Sequence, residues 1–396
     1  MRIVLLVGLV AVLLAPAAAA TTDPQVTVRL NVRPPWALSF REPWLLNGRP
    51  MAPGAYEVVP SAVGLQMRHR RGTYEAARGV LSVEGAGPAS AAWRMPALNG
   101  RHYRGTLLFR GDTVSNVVHL QHYLYGVVAR EIGGSAEPEA LRAQAVVART
   151  YAMAHAHNGT FDDTTAFQAY HGAEGETPAA RAAVDATCGQ VLLYDGRLAR
   201  EVCYHSTCGG QTEANENVFM SNAIPYLRSV ACASAAEPPL GGVGPDLVRI
   251  FPALRRVHTL PFPPLAAESG GTTAACAASD YFRWTVTFPP GQYADAEVLE
   301  RTPAGRVLRL RVDNRTVSGD PIRRALTFRG ERGRVRPLYS TSFELSRNGD
   351  TLVATGAGWG HGVGLCQWGA RGMARAGGTW IAILERYFPG TVVGTL

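Results

Sequence analysis

Three stretches of the sequence contain side chains that can do chemistry at close spacing. Segment 359–370, WGHGVGLCQWGA, carries a histidine, a cysteine, a glutamine and two tryptophans among four glycines. Segment 202–213, VCYHSTCGGQTE, carries two cysteines around a tyrosine, a histidine, a serine and a threonine, and Glu131 ends the apolar run YLYGVVAREI. These residue types suit acid-base catalysis, nucleophilic catalysis or metal binding, and each chemistry predicts a different site.

Glu131 is placed for acid-base chemistry. A carboxyl group held against apolar neighbours has a raised pKa, so it keeps a proton near neutral pH and can donate it. A solvated surface glutamate or a carboxylate that caps a helix would give the same local sequence. The position of Glu131 alone therefore does not separate a catalytic acid from a structural one.

The serine and cysteine candidates fit nucleophilic catalysis poorly. Ser206 follows His205, but the members of a catalytic triad are usually distant in sequence, adjacent side chains on a strand diverge, and no GxSxG motif is present. His361 and Cys366 lie five residues apart on one glycine-rich loop, whereas a catalytic Cys–His pair is normally assembled from distant segments. We therefore expect His205 to line a groove and to form hydrogen bonds there.

The N-terminus indicates export. Residues 1–20 have a basic start, an apolar run over residues 3–14, and a proline followed by four alanines, which is the layout of a secretory signal. The apolar run is shorter than the roughly 20 residues that cross a bilayer, and no later segment is long enough. We expect a secreted chain with no stable membrane insertion after the signal is removed.

The six cysteines of this chain therefore suggest disulfides first, although their spacing does not fix the pairing. A zinc site is the alternative, because Cys203, His205 and Cys208 bring ligand types together. No CxxC pair accompanies them, and alternate residues of a strand point to opposite faces. The sequence thus predicts no metal site and no cofactor.

The composition and charge limit the classes of partner that the chain is expected to bind. The net charge of +8 and the isoelectric point near 9.4 suit a protein that works beside an anionic polymer such as a cell wall, a nucleic acid or a membrane surface. We expect no nucleic acid partner, because the chain lacks a clustered basic and aromatic motif. All 39 basic residues are arginine, which excludes mechanisms that use a lysine nucleophile or Schiff base.

The elements that must position these residues follow from periodicity. Short β-like runs between residues 26 and 119 predict antiparallel strands, and an apolar face at helical spacing predicts a helix from Glu137 to about residue 157. The other predicted elements are a helix over 178–187, a strand pair that turns at 195–196, an insertion over 233–275, strands in 281–288, 306–313 and 351–358, and a helix over 379–387.

Four segments, in order, resemble the SpoIID/LytB family, the sporulation stage II protein D type of peptidoglycan lytic transglycosylase. They are YLYGVVAREI with EALRAQAVVARTYA, then VCYHSTCGGQTE, IPYLRSV, and GWGHGVGLCQWGARGMARAGGTWIAILERYFPGT. The resemblance implies an α+β fold: a SpoIID-like catalytic domain over 104–396, with antiparallel strands around a long central helix and the insertion at 233–275. The β-rich region over 21–103 lies outside the resemblance.

The resemblance implies an exported enzyme that cleaves peptidoglycan glycan strands between MurNAc and GlcNAc. Its substrates are typically strands without stem peptides, and its products end in 1,6-anhydro-MurNAc. The family's catalytic acid follows YLxGVVxxE, which makes Glu131 the acid here. One carboxyl suffices, because it first protonates the glycosidic oxygen and then takes the proton of the sugar's own 6-hydroxyl.

Other residues are assigned by motif. The resemblance implies that Arg149, Tyr226 and Arg228 take part in catalysis, although Arg228 replaces the family's lysine, and a planar guanidinium differs from a point donor. Cys366 stands where relatives commonly have serine, which argues against a chemical role for its thiol. The residues expected to bind substrate are Tyr204, His205, Ser206, His361 and Gln367.

The resemblance also bears on the cysteines. Some relatives bind zinc through a histidine and two cysteines between the long helix and the VCYHST segment. The matching stretch here has no cysteine, so we do not expect that zinc site. Other relatives place two cysteines close together after the YLR segment. Cys232 and Cys276 flank that place here, which predicts a disulfide that closes the insertion, with Cys208 as a competing partner.

A second function is open. The LytB branch is described as an amidase modifier, so the alternative is a non-catalytic wall-binding protein that enhances an N-acetylmuramoyl-L-alanine amidase. The presence of Glu131, Arg149 and Tyr226 favours the enzyme, since a binder has no need of the acid. Both functions predict glycan strands as partner, an amidase as a further partner, and a location in the periplasm or cell wall.

Overall fold

The computed structural model of the protein describes residues 24–395, apart from residues 63, 71, 77–79, 86–94, 157–160, 234–273 and 331–332. The expected signal, residues 1–20, and most of the expected insertion at 233–275 lie outside the described residues. In the part that is described, no helix combines the length and apolar character that crossing a membrane requires.

The N-terminal region consists of two antiparallel sheets. Its strands are β1 (Gln25–Leu30), β2 (Trp36–Phe40), β3 (Trp44–Leu46), β4 (Arg49–Met51), β5 (Gly54–Ser61), β6 (Gly64–His69), β7 (Gly72–Ala76), β8 (Val80–Gly85), β9 (Ala97–Leu98), β10 (Arg101–His102), β11 (Thr106–Arg110) and β12 (Thr113–His119). The strand orders are β1-β12-β11-β8-β3-β4 and β10-β9-β2-β5-β6-β7. The predicted antiparallel β region between residues 26 and 119 is thereby confirmed.

The buried faces of the two sheets meet. Residues alternate between buried and exposed along β1 and β2, so each strand contributes one apolar face. Trp36 of β2 contacts Phe109 of β11 with ring centroids 5.3 Å apart. Because β11 and β12 pair within the first sheet, this layer continues to His119, past the boundary expected near residue 103.

Helices follow the two sheets. They are α1 (Leu120–Ile132), α2 (Pro138–His155), a 3-10 turn (Gly172–Gly175), α3 (Pro178–Ala186), α4 (Asn215–Phe219), α5 (Ile322–Ala325), α6 (Gln367–Arg375) and α7 (Trp380–Tyr387). The predicted long helix corresponds to α2, which starts with Pro138 at a position where a missing N–H costs nothing. The helix α2 packs against α1, α3, α6 and α7, so it is the central helix of the fold.

The remaining strands form smaller sheets. They are β13 (Gln190–Tyr194), β14 (Arg197–Leu198), β15 (Tyr204–His205), β16 (Trp284–Thr287), β17 (Ala296–Arg301), β18 (Val307–Val312), β19 (Arg315–Ser318), β20 (Thr327–Arg329), β21 (Val335–Pro337), β22 (Phe343–Asn348), β23 (Thr351–Gly356), β24 (Leu365–Cys366) and β25 (Val392–Thr395). The predicted turn between β13 and β14 is confirmed, with positive φ at Asp195 and Gly196. The fold is α+β, as the sequence predicts.

Two hydrophobic cores support these elements. The first runs without a break from the N-terminal sheets into the helices, from Val28 to Leu124 and Val146. The second is smaller and lies among β16–β23, around residues such as Leu310 and Phe343. The sequence predicts strands in this second region but gives no sign that they have a core of their own.

The helix α1 comes very close to the 3-10 turn, and Gly126 allows this approach. A Cβ atom at residue 126 would lie 2.7 Å from the carbonyl oxygen of Gly172 and 2.8 Å from the Tyr170 ring. Both distances are shorter than a van der Waals contact. The segment that leads into the turn is therefore held directly against α1, the helix that carries Glu131.

We predict that Gly126→Ala destabilises the protein by about 1–3 kcal/mol, because the added methyl group overpacks a contact with backbone that cannot move aside. The matched control is Gly330→Ala, whose Cβ would meet only the side chain of the exposed Arg336. Urea unfolding of both variants measures the difference. Equal midpoints for Gly126→Ala and wild type would contradict the close contact.

Candidate active site

Glu131 lies in the last turn of α1 and lines an open cleft. The cleft has a volume of about 1110 Å³, above the roughly 300–1,000 Å³ of a small-ligand pocket, so it can hold several units of a polymer. Its walls include the 165–167 loop, segment 201–206 and the 359–361 loop. Two of the three stretches that the sequence singles out thus meet at Glu131.

The carboxyl of Glu131 is set up to hold a proton. Burial raises its pKa above the ordinary value for glutamate, and the backbone N–H of Ala169, which donates to Oε1 at 2.5 Å, offsets part of this effect. That amide belongs to the segment that packs against α1 at Gly126. The structure thus provides the raised pKa that a general acid needs.

Tyr204 and Gln367 face the same carboxyl. Each side chain lies close enough to lower the pKa of Glu131, but by less than burial raises that pKa. Neither side chain makes a hydrogen bond of standard geometry with the carboxyl. The Tyr204 hydroxyl is buried and has no hydrogen-bond partner among the described residues, and Gln367 is 8% exposed. Both residues line the cleft beside Glu131.

His205 is a neutral imidazole in the cleft wall. Its Nδ1 donates to the carbonyl oxygen of Val363 at 3.1 Å, and burial lowers its pKa well below the ordinary value. Its Nε2 is buried without a hydrogen-bond partner in the described part of the chain. Ser206 lies beside it on the same cleft wall.

His361 closes the glycine-rich loop onto β15. Its Nε2 donates to the carbonyl oxygen of Tyr204 at 3.0 Å, and its Nδ1 accepts from the N–H of Val363 at 3.1 Å. Burial lowers its pKa to about 4, so the ring is neutral at ordinary pH. It lines the cleft, but with both ring nitrogens bonded to backbone its position suits holding the loop better than binding substrate.

Arg149 is not among the residues that line the cleft. It is 1% exposed, and its guanidinium donates to the carbonyl oxygens of Gln190 at 3.1 Å and Val184 at 3.2 Å, and to Oε1 of Gln121 at 3.1 Å. These bonds join α2 to α1, α3 and β13. The geometry gives Arg149 a structural role, and the catalytic role that the resemblance implies stays a prediction.

Tyr226 and Arg228 also lie outside the cleft lining. The Tyr226 hydroxyl accepts the backbone N–H of Glu201 at 3.2 Å, and its ring packs on Tyr194. Arg228 forms an ion pair with Glu216 at 2.5 Å. The catalytic positions expected from the motif are thus occupied by residues that support the cleft from behind.

Sequence reasoning missed several residues of the cleft. Arg323 and Arg324 reach it from α5, and Phe219 and Tyr151 present aromatic rings to it. Trp359 is 37% exposed and Phe219 is 47% exposed, which is unusual for large apolar side chains. The arginine pair could not be singled out in a chain whose 39 basic residues are all arginine.

The cysteines correct two expectations. None of the six forms a disulfide, so the predicted bond between Cys232 and Cys276 is absent. Instead, the Sγ atoms of Cys208, Cys232, Cys276 and Cys366 all lie within 4.8 Å of one another and could hold a metal ion, a possibility that the predicted absence of a metal site left out. The sequence hides this group because its members come from four distant segments without a CxxC pair.

Comparisons with known proteins cover both halves of the cleft. The family model SpoIID, described as Stage II sporulation protein, matches residues 110–194, which include Glu131. A second model, a domain of unknown function named DUF8618, matches residues 287–364, which include Arg323 and Arg324.

Three relatives are similar over most of the chain. An uncharacterized protein of Brachyspira hyodysenteriae is 31% identical over 306 residues, which is 74% of this chain and 72% of that protein. Stage II sporulation protein D of Bacillus subtilis is 28% identical over 85% of this chain and 91% of its own length. The amidase enhancer of the same organism is 27% identical over 75% of this chain but only 44% of its own length.

We predict that Glu131→Gln stabilises the protein at pH 7. The folded state holds the Glu131 proton more tightly than the unfolded chain does, so the free energy of unfolding of the wild type falls as the pH rises past the ordinary carboxyl range. An amide has no such cost and still accepts the Ala169 N–H. Urea midpoints at pH 4 and pH 7 test this: the variant should gain on wild type only at pH 7.

The control for this experiment is Glu201→Gln, an exposed acid at the rim of the same cleft. If Glu131→Gln and Glu201→Gln respond to pH in the same way, the Glu131 carboxyl does not lie in the desolvated environment described above.

Proposed function

The chain belongs to the SpoIID/LytB family, and from this premise we propose that it is an exported peptidoglycan lytic transglycosylase. It cleaves glycan strands between MurNAc and GlcNAc and forms 1,6-anhydro-MurNAc ends. The observation that carries the proposal is a single carboxyl, Glu131, whose pKa is raised by burial at the wall of a cleft large enough for a polymer.

One carboxyl is sufficient for the proposed reaction. The Ala169 N–H is bonded to Oε1 of Glu131, so we expect Oε2 to carry the proton. Oε2–H protonates the glycosidic oxygen as the C1–O bond breaks. The resulting carboxylate then takes the proton of the sugar's 6-hydroxyl while the 6-hydroxyl oxygen bonds to C1. Proton and bonds balance without a water molecule, and Glu131 ends the cycle protonated again.

The neighbours of Glu131 supply the positioning. Tyr204, His205 and Gln367 are polar residues of the cleft lining, a residue type suited to sugar hydroxyls. The exposed rings of Trp359 and Phe219 offer flat surfaces on which sugar rings stack. These contacts would hold a strand across the cleft while the acid acts.

Arg323 and Arg324 suggest which strands the cleft accepts. A glycan strand without stem peptides exposes the lactyl carboxylate of each MurNAc unit, and arginine binds a carboxylate with two parallel hydrogen bonds. Arg323 is held by Asp320 at 3.1 Å, whereas Arg324 is 3.8 Å from the same carboxylate and its side chain is 69% exposed. Arg324 is therefore the cation that a lactyl carboxylate can engage, which supports a preference for denuded strands.

The alternative is a non-catalytic protein that binds the wall and enhances an amidase. The relative named amidase enhancer supports it, and an amidase remains a proposed partner under either function. The raised pKa of Glu131 favours the enzyme, because such a carboxyl destabilises the fold at neutral pH and gives nothing to a protein that only binds. We place the protein outside the cytoplasm, in the periplasm or cell wall, after removal of a signal over residues 1–20.

We predict that Glu131→Gln lowers the rate of anhydro-MurNAc formation by at least about 10²-fold, because it removes the proton donor and keeps the shape. Purified wild type, Glu131→Gln and the control Glu201→Gln are incubated with denuded and with peptide-bearing glycan, and the products are analysed by mass spectrometry. Anhydro ends from wild type and Glu201→Gln alone would support the enzyme. Wild type that forms none on either substrate would contradict it and leave the enhancer.

We predict that Arg324→Ala raises KM for denuded glycan about five- to tenfold, the effect of losing one charge-assisted hydrogen bond at an exposed site, with kcat nearly unchanged. The rise should shrink at high salt. The control is Arg329→Ala, an exposed arginine outside the cleft lining. An equal KM for both variants would rule out Arg324 as a carboxylate contact.

A further inference from the structure

Four cysteines meet behind the cleft. Cys208, Cys232, Cys276 and Cys366 are all buried, and their Sγ atoms lie within 4.8 Å of one another. We call them the cysteine cluster. Cys208 follows β15, Cys366 ends β24, and Cys232 and Cys276 lie close to the two ends of the 234–273 segment. Chain segments that are far apart in sequence thus converge on one point through their thiols.

The spacing of the sulfurs fits an ion at the centre. The Sγ atoms of Cys208 and Cys276 are 3.6 Å apart. Zinc binds thiolates at about 2.3 Å in a tetrahedron, whose edges are then about 3.8 Å long. A disulfide needs about 2.05 Å. The observed distance is close to the edge of a zinc tetrahedron and far longer than a sulfur–sulfur bond.

The groups around the cluster support thiolate ligands. The backbone N–H groups of Cys208 and Gly369 both point at Sγ of Cys366 at 3.3 Å. The Tyr387 hydroxyl lies 3.0 Å from Sγ of Cys232. Hydrogen bonds to the ligand sulfurs are a regular feature of metal sites, because they orient the ligands and spread their charge.

Gly369 leaves the space that the cluster needs. A Cβ atom at this residue would lie 2.4 Å from Sγ of Cys232 and 1.9 Å from the Tyr387 hydroxyl. Only glycine lets α6 come this close to the sulfurs. The fourth glycine of the WGHGVGLCQWGA segment therefore serves the cluster.

A buried cation stands next to the cluster. Arg306 is 2% exposed, and its Nη2 donates to the carbonyl oxygen of Cys208 at 2.7 Å. Its Nη1 has no hydrogen-bond partner among the described residues, and no ion pair of Arg306 occurs in that part of the chain. The buried Glu213 carboxylate acts on this guanidinium as well. Four thiolates around a divalent cation carry a net charge of −2, which would add to this compensation, whereas four neutral thiols would not.

We propose that the cysteine cluster binds one Zn²⁺ ion in a closed, structural site. Four S–H bonds are lost and four Zn–S bonds form, with the protons released to solvent and no change of oxidation state. The buried position of all four ligands leaves no open coordination site for a substrate. The ion does not take part in the proposed cleavage.

The zinc ion would fix the cleft from behind. It joins the loop after β15, which carries His205, to the end of β24, which is followed directly by Gln367. These two strands pair in parallel over only two residues, too few to hold their register alone. The ion also joins Cys232 to Cys276, which are distant in sequence. This inference is independent of the proposed function, because an enhancer would need the same scaffold.

The test is metal analysis of the full-length protein. Protein purified without chelators is measured by inductively coupled plasma mass spectrometry, and we expect about one zinc per chain. Cys232→Ser and Cys276→Ser should lower this several-fold. Cys188→Ser, an exposed cysteine outside the cluster, and Cys203→Ser, which lines the cleft, should retain the zinc.

A second measurement uses only the wild type, so the proposal can be tested even if the cysteine variants fail to fold. Stepwise titration of the thiols with a mercurial reagent, with a zinc indicator present, should release the zinc as the four cluster thiols react. Wild type without zinc, whether its cysteines are then free or joined in disulfides, would overturn the proposal. An equimolar iron content would overturn it as well, as would zinc that stays bound after the cluster cysteines are replaced.

Discussion

The cleft depends on one carboxyl that is held partly out of water at the end of a helix. Glu131 is desolvated because α1 is pressed between the central helix α2 and the segment that carries Ala169. That pressure requires a backbone contact that only Gly126 permits. The cost is an acid that destabilises the fold at neutral pH, and the large core shared by the sheets and helices offsets it.

The cleft is built by two parts of the chain with separate cores. The part that matches the SpoIID model supplies the acid, and the part around the second core supplies Arg323 and Arg324. The 359–370 segment connects them, since His361 bonds to β15 while Trp359 packs on Tyr281. In the proposed function, the acid performs the chemistry and the second part supplies surface that contacts the glycan strand.

Local rules predict the local elements well. The helix α2 follows from its periodic alanines, and the Asp195–Gly196 turn follows from the positive φ that a two-residue hairpin requires. By contrast, α1 is rich in aromatic and β-branched residues and becomes a helix through the packing of its buried residues.

The position of a side chain in three dimensions is harder to predict. The motif marks Arg149 and Arg228 as residues that matter, but whether an arginine faces a cleft or a backbone carbonyl depends on tertiary contacts. The cysteine cluster is hidden for the same reason, since sequence spacing carries no information on thiols that meet from distant segments. At the junction of β12 and α1, His119 ends a paired strand and Leu120 begins the helix with no linker between them. The start of α1 is fixed by the sheet and its middle by the contact with the 3-10 turn. The number of residues between these points and Glu131 therefore sets the direction of the carboxyl. One residue more or less along α1 would rotate the carboxyl by about 100°, away from the cleft.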